Sequence, residues 1–166
     1  SNIVSDTLCG NTVNSLVTAD KITAEKIALG TSNGNIKVSA LTSDKLSTAT
    51  SNGSVTVKNV NAKSAEMTTS NGRISLSDIK SENLIKASTS NGAIDISNIS
   101  SDNTILQTSN GSISGNIIGD PDNYNISSST SNGNDSLAIY NNKNTTSNKK
   151  IEAYTSNGNI LVEFTK

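Results

Sequence analysis

Thr31-Ser32-Asn33-Gly34 opens a stretch that continues Asn-Ile-Lys-Val-Ser-Ala-Leu-Thr-Ser-Asp-Lys-Leu-Ser-Thr-Ala before Thr50-Ser51-Asn52-Gly53 begins it again. The same tetrapeptide stands at 69–72, 89–92, 108–111, 130–133 and 155–158, and a degenerate copy, Thr12-Val13-Asn14-Ser15, sits one period earlier. The eight asparagines fall at 14, 33, 52, 71, 91, 110, 132 and 157, spaced 19, 19, 19, 20, 19, 22 and 25 residues apart. Self-similarity at a period near twenty marks a repeat architecture. Each unit is too small to bury its own apolar face and does so only by stacking on its neighbours.

Within a repeat the apolar residues alternate, which argues strand and not helix. Four residues ahead of the threonine stand Leu8, Ile27, Leu46, Ala65, Ile85, Ile126 and Ile151. Beyond the glycine the phase shifts by one, giving Val17, Ile36, Val55, Ile74, Ile94, Ile113 and Ile160, then Val38, Val57, Leu76, Ile96 and Val162. A third set follows at Ile22, Leu41, Val60, Ile79, Ile99 and Ile118. The odd step across Asn-Gly predicts a corner at which glycine takes a backbone conformation costly for other residues. Helical repeats fail on the two-residue spacing, and propeller blades on period and on missing aromatics.

These observations predict an all-β, single-domain β-solenoid of about eight coils of 19–25 residues, a rod of roughly 35–40 Å at the usual strand spacing. Residues 6–118 are expected to form regular coils, and 119–166 expanded coils with a C-terminal cap, within one domain over 1–166. A left-handed triangular helix favours a strict six-residue period, so the drifting nineteen-residue period points to the right-handed form. Stacking identical coils aligns identical residues. The expected structural ladder comprises Thr31, Asn33, Gly34, Thr50, Asn52, Gly53, Thr69, Asn71, Gly72, Thr89, Asn91, Gly92, Thr108, Asn110 and Gly111, with the asparagine amides bonding rung to rung inside the coil. The threonine row faces inward by parity, which argues against an ice-binding face.

Composition narrows the function. Of 166 residues 32% are apolar and 2% aromatic, with no His and no Trp, and the net charge is −1. Near-neutral charge gives no electrostatic case for nucleic acid, and no apolar run approaches membrane-spanning length. The chain opens at Ser1-Asn2 without Met, so it reads as a trimmed fragment whose targeting segment lies elsewhere. Cys9 is alone and forms no internal disulfide.

Without histidine, a Ser-His-Asp arrangement and the common zinc sets are excluded. The glycines are a coil apart, unlike a phosphate loop. No catalytic residue, no metal ligand and no cofactor is expected. Asp6, Glu25 and Asp44 fall at equivalent positions of successive coils and should stack, with Lys26 and Lys45 neutralising them; a calcium site is the alternative. Asp95 and Asp102 show no partner at glycosidase distance. Gly119-Asp120-Pro121-Asp122-Asn123 reads as a turn, again with calcium as the alternative. All four aromatics, Tyr124, Tyr140, Tyr154 and Phe164, lie in the last third, where they seal the final coil or else line a small-ligand site. Outward residues such as Asn35, Lys37, Ser39, Thr56 and Lys58 are polar and form flat faces.

Tandem Thr-Ser-Asn-Gly followed by alternating aliphatics at about twenty-residue intervals resembles a bacterial adhesin-type family, whose members carry a β-solenoid domain of unknown function. The resemblance spans residues 6 to 166, departing from the pattern at Val13 and Ser15 and in the two expanded coils. It implies an extracytoplasmic, cell-surface or envelope location and a binding or scaffold role, and it transfers no catalytic residue. The function expected is therefore a non-enzymatic scaffold presenting a rigid polar face to a protein or glycan at the cell surface. The alternatives are a carbohydrate-active β-helix enzyme and an envelope-stress regulatory or spacer domain.

Overall fold

The computed structural model describes residues 3–166, so the expected boundary at Ser1 lies outside the described residues. Eleven strands form one sheet: β1 (Ile3–Thr12), β2 (Val17–Thr31), β3 (Ile36–Thr50), β4 (Val55–Thr69), β5 (Ile74–Ser88), β6 (Ile94–Ser100), β7 (Asn103–Gln107), β8 (Ile113–Ile118), β9 (Asn125–Asn132), β10 (Lys150–Asn157) and β11 (Ile160–Thr165). Every strand pairing is parallel, so the chain coils as a β-solenoid with about six turns up to Ile118.

Each long strand is bent twice. Strand β3 pairs β4 from Ile36↔Val55 to Ser39↔Lys58, resumes at Leu41↔Val60, and resumes again from Lys45↔Ser64 to Thr50↔Thr69. The first break falls at a column of left-handed residues: Lys21, Ala40, Asn59, Asp78 and Asn98, with φ of 54, 50, 52, 54 and 53°. Left-handed backbone is costly for side-chain-bearing residues and least so for Asn and Asp. Glu25, Asp44 and Lys63 mark the second break, and Ser-Asn-Gly the third.

Glycine's role at that third corner differs from expectation. Positive φ among the described glycines is confined to Gly115 and Gly119. What demands glycine in the motif is axial proximity: a Cβ on Gly53 would fall on the carbonyl oxygen of Gly34, and one on Gly72 on that of Gly53. The repeat positions without side chains let the corners of successive coils stack closely.

The expected core columns are buried, including Ile27, Leu46, Ala65 and Ile85 before the motif and Ile36, Val55, Ile74 and Ile94 after it. Ile118 is a correction. The register passes from Ile96↔Gly115 to Ile99↔Ile117 with one residue fewer in the later coil, so Ile117 turns inward and Ile118 is 42% exposed. A further buried column lies two residues before the threonine: Leu29, Thr48, Met67, Ala87, Leu106 and Ala153. One continuous core joins them, each large aliphatic contributing about 1.5–3 kcal/mol on burial.

The last third does not stack in chain order. Strand β10 pairs β7 on one side and β9 on the other, and β11 pairs β8. The chain thus steps out to lay down β9 one layer beyond the regular coils, then returns and fills the vacant layer with β10 and β11. Asn157 stands on Asn110, and Asn132 stands on Asn157. The outermost rung is the seventh copy of the motif and not, as sequence order suggested, the eighth.

At this end of the coil the Tyr124 ring lies 6.2 Å from Phe164, and Tyr140 lies edge-on to Phe164 at 5.9 Å. The Asn141 side chain imitates a neighbouring strand. Its Oδ1 accepts from the Ser128 N–H at 2.8 Å and its Nδ2 donates to the Ser128 carbonyl at 2.8 Å, while the Asn142 N–H donates to Ile126. At the opposite end β1 pairs only β2 among the described residues, and Val13 (62% exposed) and Leu16 (54%) face solvent.

Candidate recognition surface

The motif corner is a layered hydrogen-bond system. The threonine side chain points inward and is buried at 31, 50, 69, 89, 108 and 155. Its Oγ1 accepts from the glycine N–H of its own coil (Gly53 to Thr50, 3.2 Å; Gly72 to Thr69, 3.1 Å). The same hydroxyl donates to the glycine carbonyl of the coil below (Thr50 to Gly34, 3.1 Å; Thr69 to Gly53, 2.9 Å; Thr108 to Gly92, 2.9 Å). A buried hydroxyl with both capacities filled avoids the desolvation cost of an orphaned group.

The asparagines lie outside this layer. Their side chains form the ladder, but on the solvent side, because the bend after the threonine turns the next two residues outward. Each Nδ2 donates to the Oδ1 of the rung before: Asn33 to Asn14 and Asn52 to Asn33 at 2.6 Å, Asn71 to Asn52 and Asn91 to Asn71 at 2.7 Å, and Asn110 to Asn91 at 2.9 Å. Beside it runs a column of exposed serines, Ser32, Ser51, Ser70, Ser90 and Ser109, continued by Ser156 and Ser131. Sequence alternation had placed the asparagines inside.

Along another edge, at the second bend, lies an open concavity of about 560 Å³. Thr23, Thr42, Asn61 and Lys80 form one wall; Asp6, Glu25, Asp44, Lys63 and Glu82 form the other; Ala24, Ser43 and Ala62 line its base. The Ser43 hydroxyl is buried with no hydrogen-bond partner. The acidic stack is continued by Lys63, whose Nζ reaches Asp44 Oδ2 at 2.9 Å. That hydrogen bond and the carboxylate charge hold the Lys63 ammonium above its ordinary pKa. The cation that pairs with Asp44 is therefore Lys63 of the next rung; among the described residues Lys26 and Lys45 make no ion pair with the stack.

The remaining acidic candidates have local partners. Asp95 pairs with Arg73 at 3.1 Å and Asp102 with Lys149 at 3.0 Å. Asp120 Oδ1 accepts the Asp122 N–H at 3.0 Å, capping a short 3-10 turn, Pro121–Asn123. Among the described residues no group of three His, Cys, Asp or Glu side chains is placed to hold a metal ion. Hydrogen bonds from Asn98 and Ser77 pull the Asp78 carboxyl below its ordinary pKa. Cys9 is exposed and free.

What sequence reasoning missed is the concavity itself. Its signal was the column Thr23, Thr42, Asn61, Lys80, whose members share polarity and no chemical type. Among the described residues no helix is long and apolar enough to cross a membrane. A family model described as Toastrack DUF4097 matches residues 5–164. No curated protein and no solved structure gives a match.

Proposed function

The chain belongs to the Toastrack DUF4097 family, a domain of unknown function, and from that premise we propose that it is a non-catalytic scaffold displayed in the cell envelope or at its surface. Its partner is a protein or glycan held along the concavity at the second bend. The observation that carries this reading is the strip of polar residues crossing five rungs there, with Asp6, Glu25 and Asp44 toward one end and Lys63, Lys80 and Glu82 toward the other. An extended polymer lying parallel to the axis would meet a new rung every ~4.8 Å, so weak polar contacts would add along its length. The rigid stack behind the strip spares the partner the entropy of ordering it.

The experiment has two arms. Protease treatment of intact native cells tests placement: loss of the domain is expected, and full protection until lysis would overturn the envelope reading. Immobilised glycans and envelope or host-surface proteins then test binding by wild type and by Thr42→Trp. Thr42 is exposed, so the bulky ring blocks the strip and leaves the core intact. Retention that falls about tenfold or more supports the strip. Equal retention by both proteins would instead favour a spacer.

A further inference from the structure

We propose that Asn132 is a site of spontaneous covalent modification, converting to aspartate and isoaspartate, and that the solenoid holds the interior Asn-Gly pairs back from the same reaction. The chemistry belongs to the dipeptide. The glycine main-chain nitrogen attacks the asparagine Cγ, a five-membered succinimide closes, and the Cγ–Nδ2 bond breaks with loss of ammonia. Water then opens the ring at one of its two carbonyls, giving aspartate or, with the main chain routed through the side-chain carbon, isoaspartate. One water is consumed and one ammonia released, and no other reactant is needed. Glycine is the following residue that hinders the attack least.

The chain carries seven intact copies of Thr-Ser-Asn-Gly, so the two residues before each reacting asparagine and the glycine after it are the same. Differences in rate between copies therefore report structure alone. At Asn52 the amide donates to Asn33 and accepts from Asn71, and the Gly53 N–H donates to Thr50 Oγ1 at 3.2 Å. Asn71 is held likewise between Asn52 and Asn91, with Gly72 tied to Thr69. Attack requires the side chain to leave both neighbours and the glycine nitrogen to leave the hydroxyl. Gly53 and Gly72 are moreover buried.

The out-of-order stacking leaves Asn132 on the outermost rung. Its Nδ2 donates to Asn157 at 2.7 Å, while its Oδ1 faces no further rung. Thr130 directs its hydroxyl to the Gly158 carbonyl, and Gly133 is exposed where the glycines of inner rungs are covered. Of the three restraints that hold Asn52 or Asn71, Asn132 keeps one amide bond, beside the Gly158 N–H that donates to its main-chain carbonyl at 3.1 Å.

The test incubates the intact protein in mildly alkaline buffer at physiological temperature, and follows the mass gain of about one dalton at each site by peptide mapping. Asn132 should convert at least about tenfold faster than Asn52, Asn71 or Asn91, the effect expected for two hydrogen bonds of ordinary strength. In guanidinium-unfolded chain the seven sites should converge to similar rates. Uniform conversion in the folded protein would overturn the proposal. So would an Asn132 lead that survives unfolding, since local sequence would then be its cause.

Discussion

The first six turns, after a degenerate opening copy, and the last two rungs use the same tetrapeptide and the same columns, yet they close in different ways. Between β2 and β5 each coil rests on the coil made just before it, with partners 19 or 20 residues apart. In the last third Thr155 bonds Gly111, 44 residues back, and Asn157 bonds Asn110, 47 residues back. The regular coils can thus add one at a time, each stabilised by its nearest neighbour. The outer rung β9 has no strand to rest on until β10 has arrived beneath it. The repeat supplies the adhesive edges, and the order of assembly is decided by something else.

Removing residues 150–166 tests this contrast most severely. The segment 119–149 should lose nearly all hydrogen-exchange protection, its local opening free energy falling toward zero, while β2 to β5 keep theirs. Retained protection in 125–132 would mean that β9 can stack directly on β7. Next in size is Gly72→Ala, which forces a methyl onto the Gly53 carbonyl. Denaturant unfolding should show a loss of about 3 kcal/mol or more. Gly133→Ala, at the free outer rung, should cost well under half as much, because that rung can splay.

Smaller effects separate the two layers of the corner. Thr69→Val removes a buried hydroxyl that satisfies both the Gly72 N–H and the Gly53 carbonyl, and should cost about 1–3 kcal/mol. Asn71→Ala breaks two exposed amide bonds and should cost about 1 kcal/mol or less. A larger loss for Asn71 than for Thr69 would reverse that ranking. Smallest of all is the acid response at Asp78. Its folded pKa is depressed below the ordinary carboxyl value, so its contribution is present above that value and lost as pH falls through the folded pKa. Asp78→Asn should therefore flatten the acid limb of the stability curve slightly, lowering stability a little at neutral pH and leaving it unchanged below the folded pKa.

Much of this was legible in the chain. Alternating Ile36, Val38 and Leu41 against Val55, Val57 and Val60 defined the columns, and the invariant tetrapeptide defined the register. The order of the last rungs was hidden for a physical reason: Thr130-Ser-Asn-Gly and Thr155-Ser-Asn-Gly present the same edges to Asn110, so sequence cannot rank them. Packing decides, through Tyr124, Tyr140 and Phe164 and through Asn141 covering Ser128. The left-handed corner escaped notice because Lys21, Ala40, Asn59, Asp78 and Asn98 share a backbone angle and no side-chain chemistry. The inward reading of the asparagines failed because strict alternation was carried one residue too far into a bend. The strip at the second bend was equally invisible, since it is a shape made by stacking.

The interleaved layer also has a mechanical meaning. A rod whose final strand lay on the outside would peel, one rung at a time, under a pull applied beyond Thr165. Here β10 is clamped along both edges, by β7 below and β9 above, and β11 rests on β8 along its length and is held from above by Asp135 and Ser136 at Ile160 and Val162. Tension therefore loads two interfaces together in shear, and the first rupture should be a single high-force event followed by easy unzipping of the regular coils. Pulling single molecules from that side, and then from Ile3, would display the asymmetry as two different force traces from one protein.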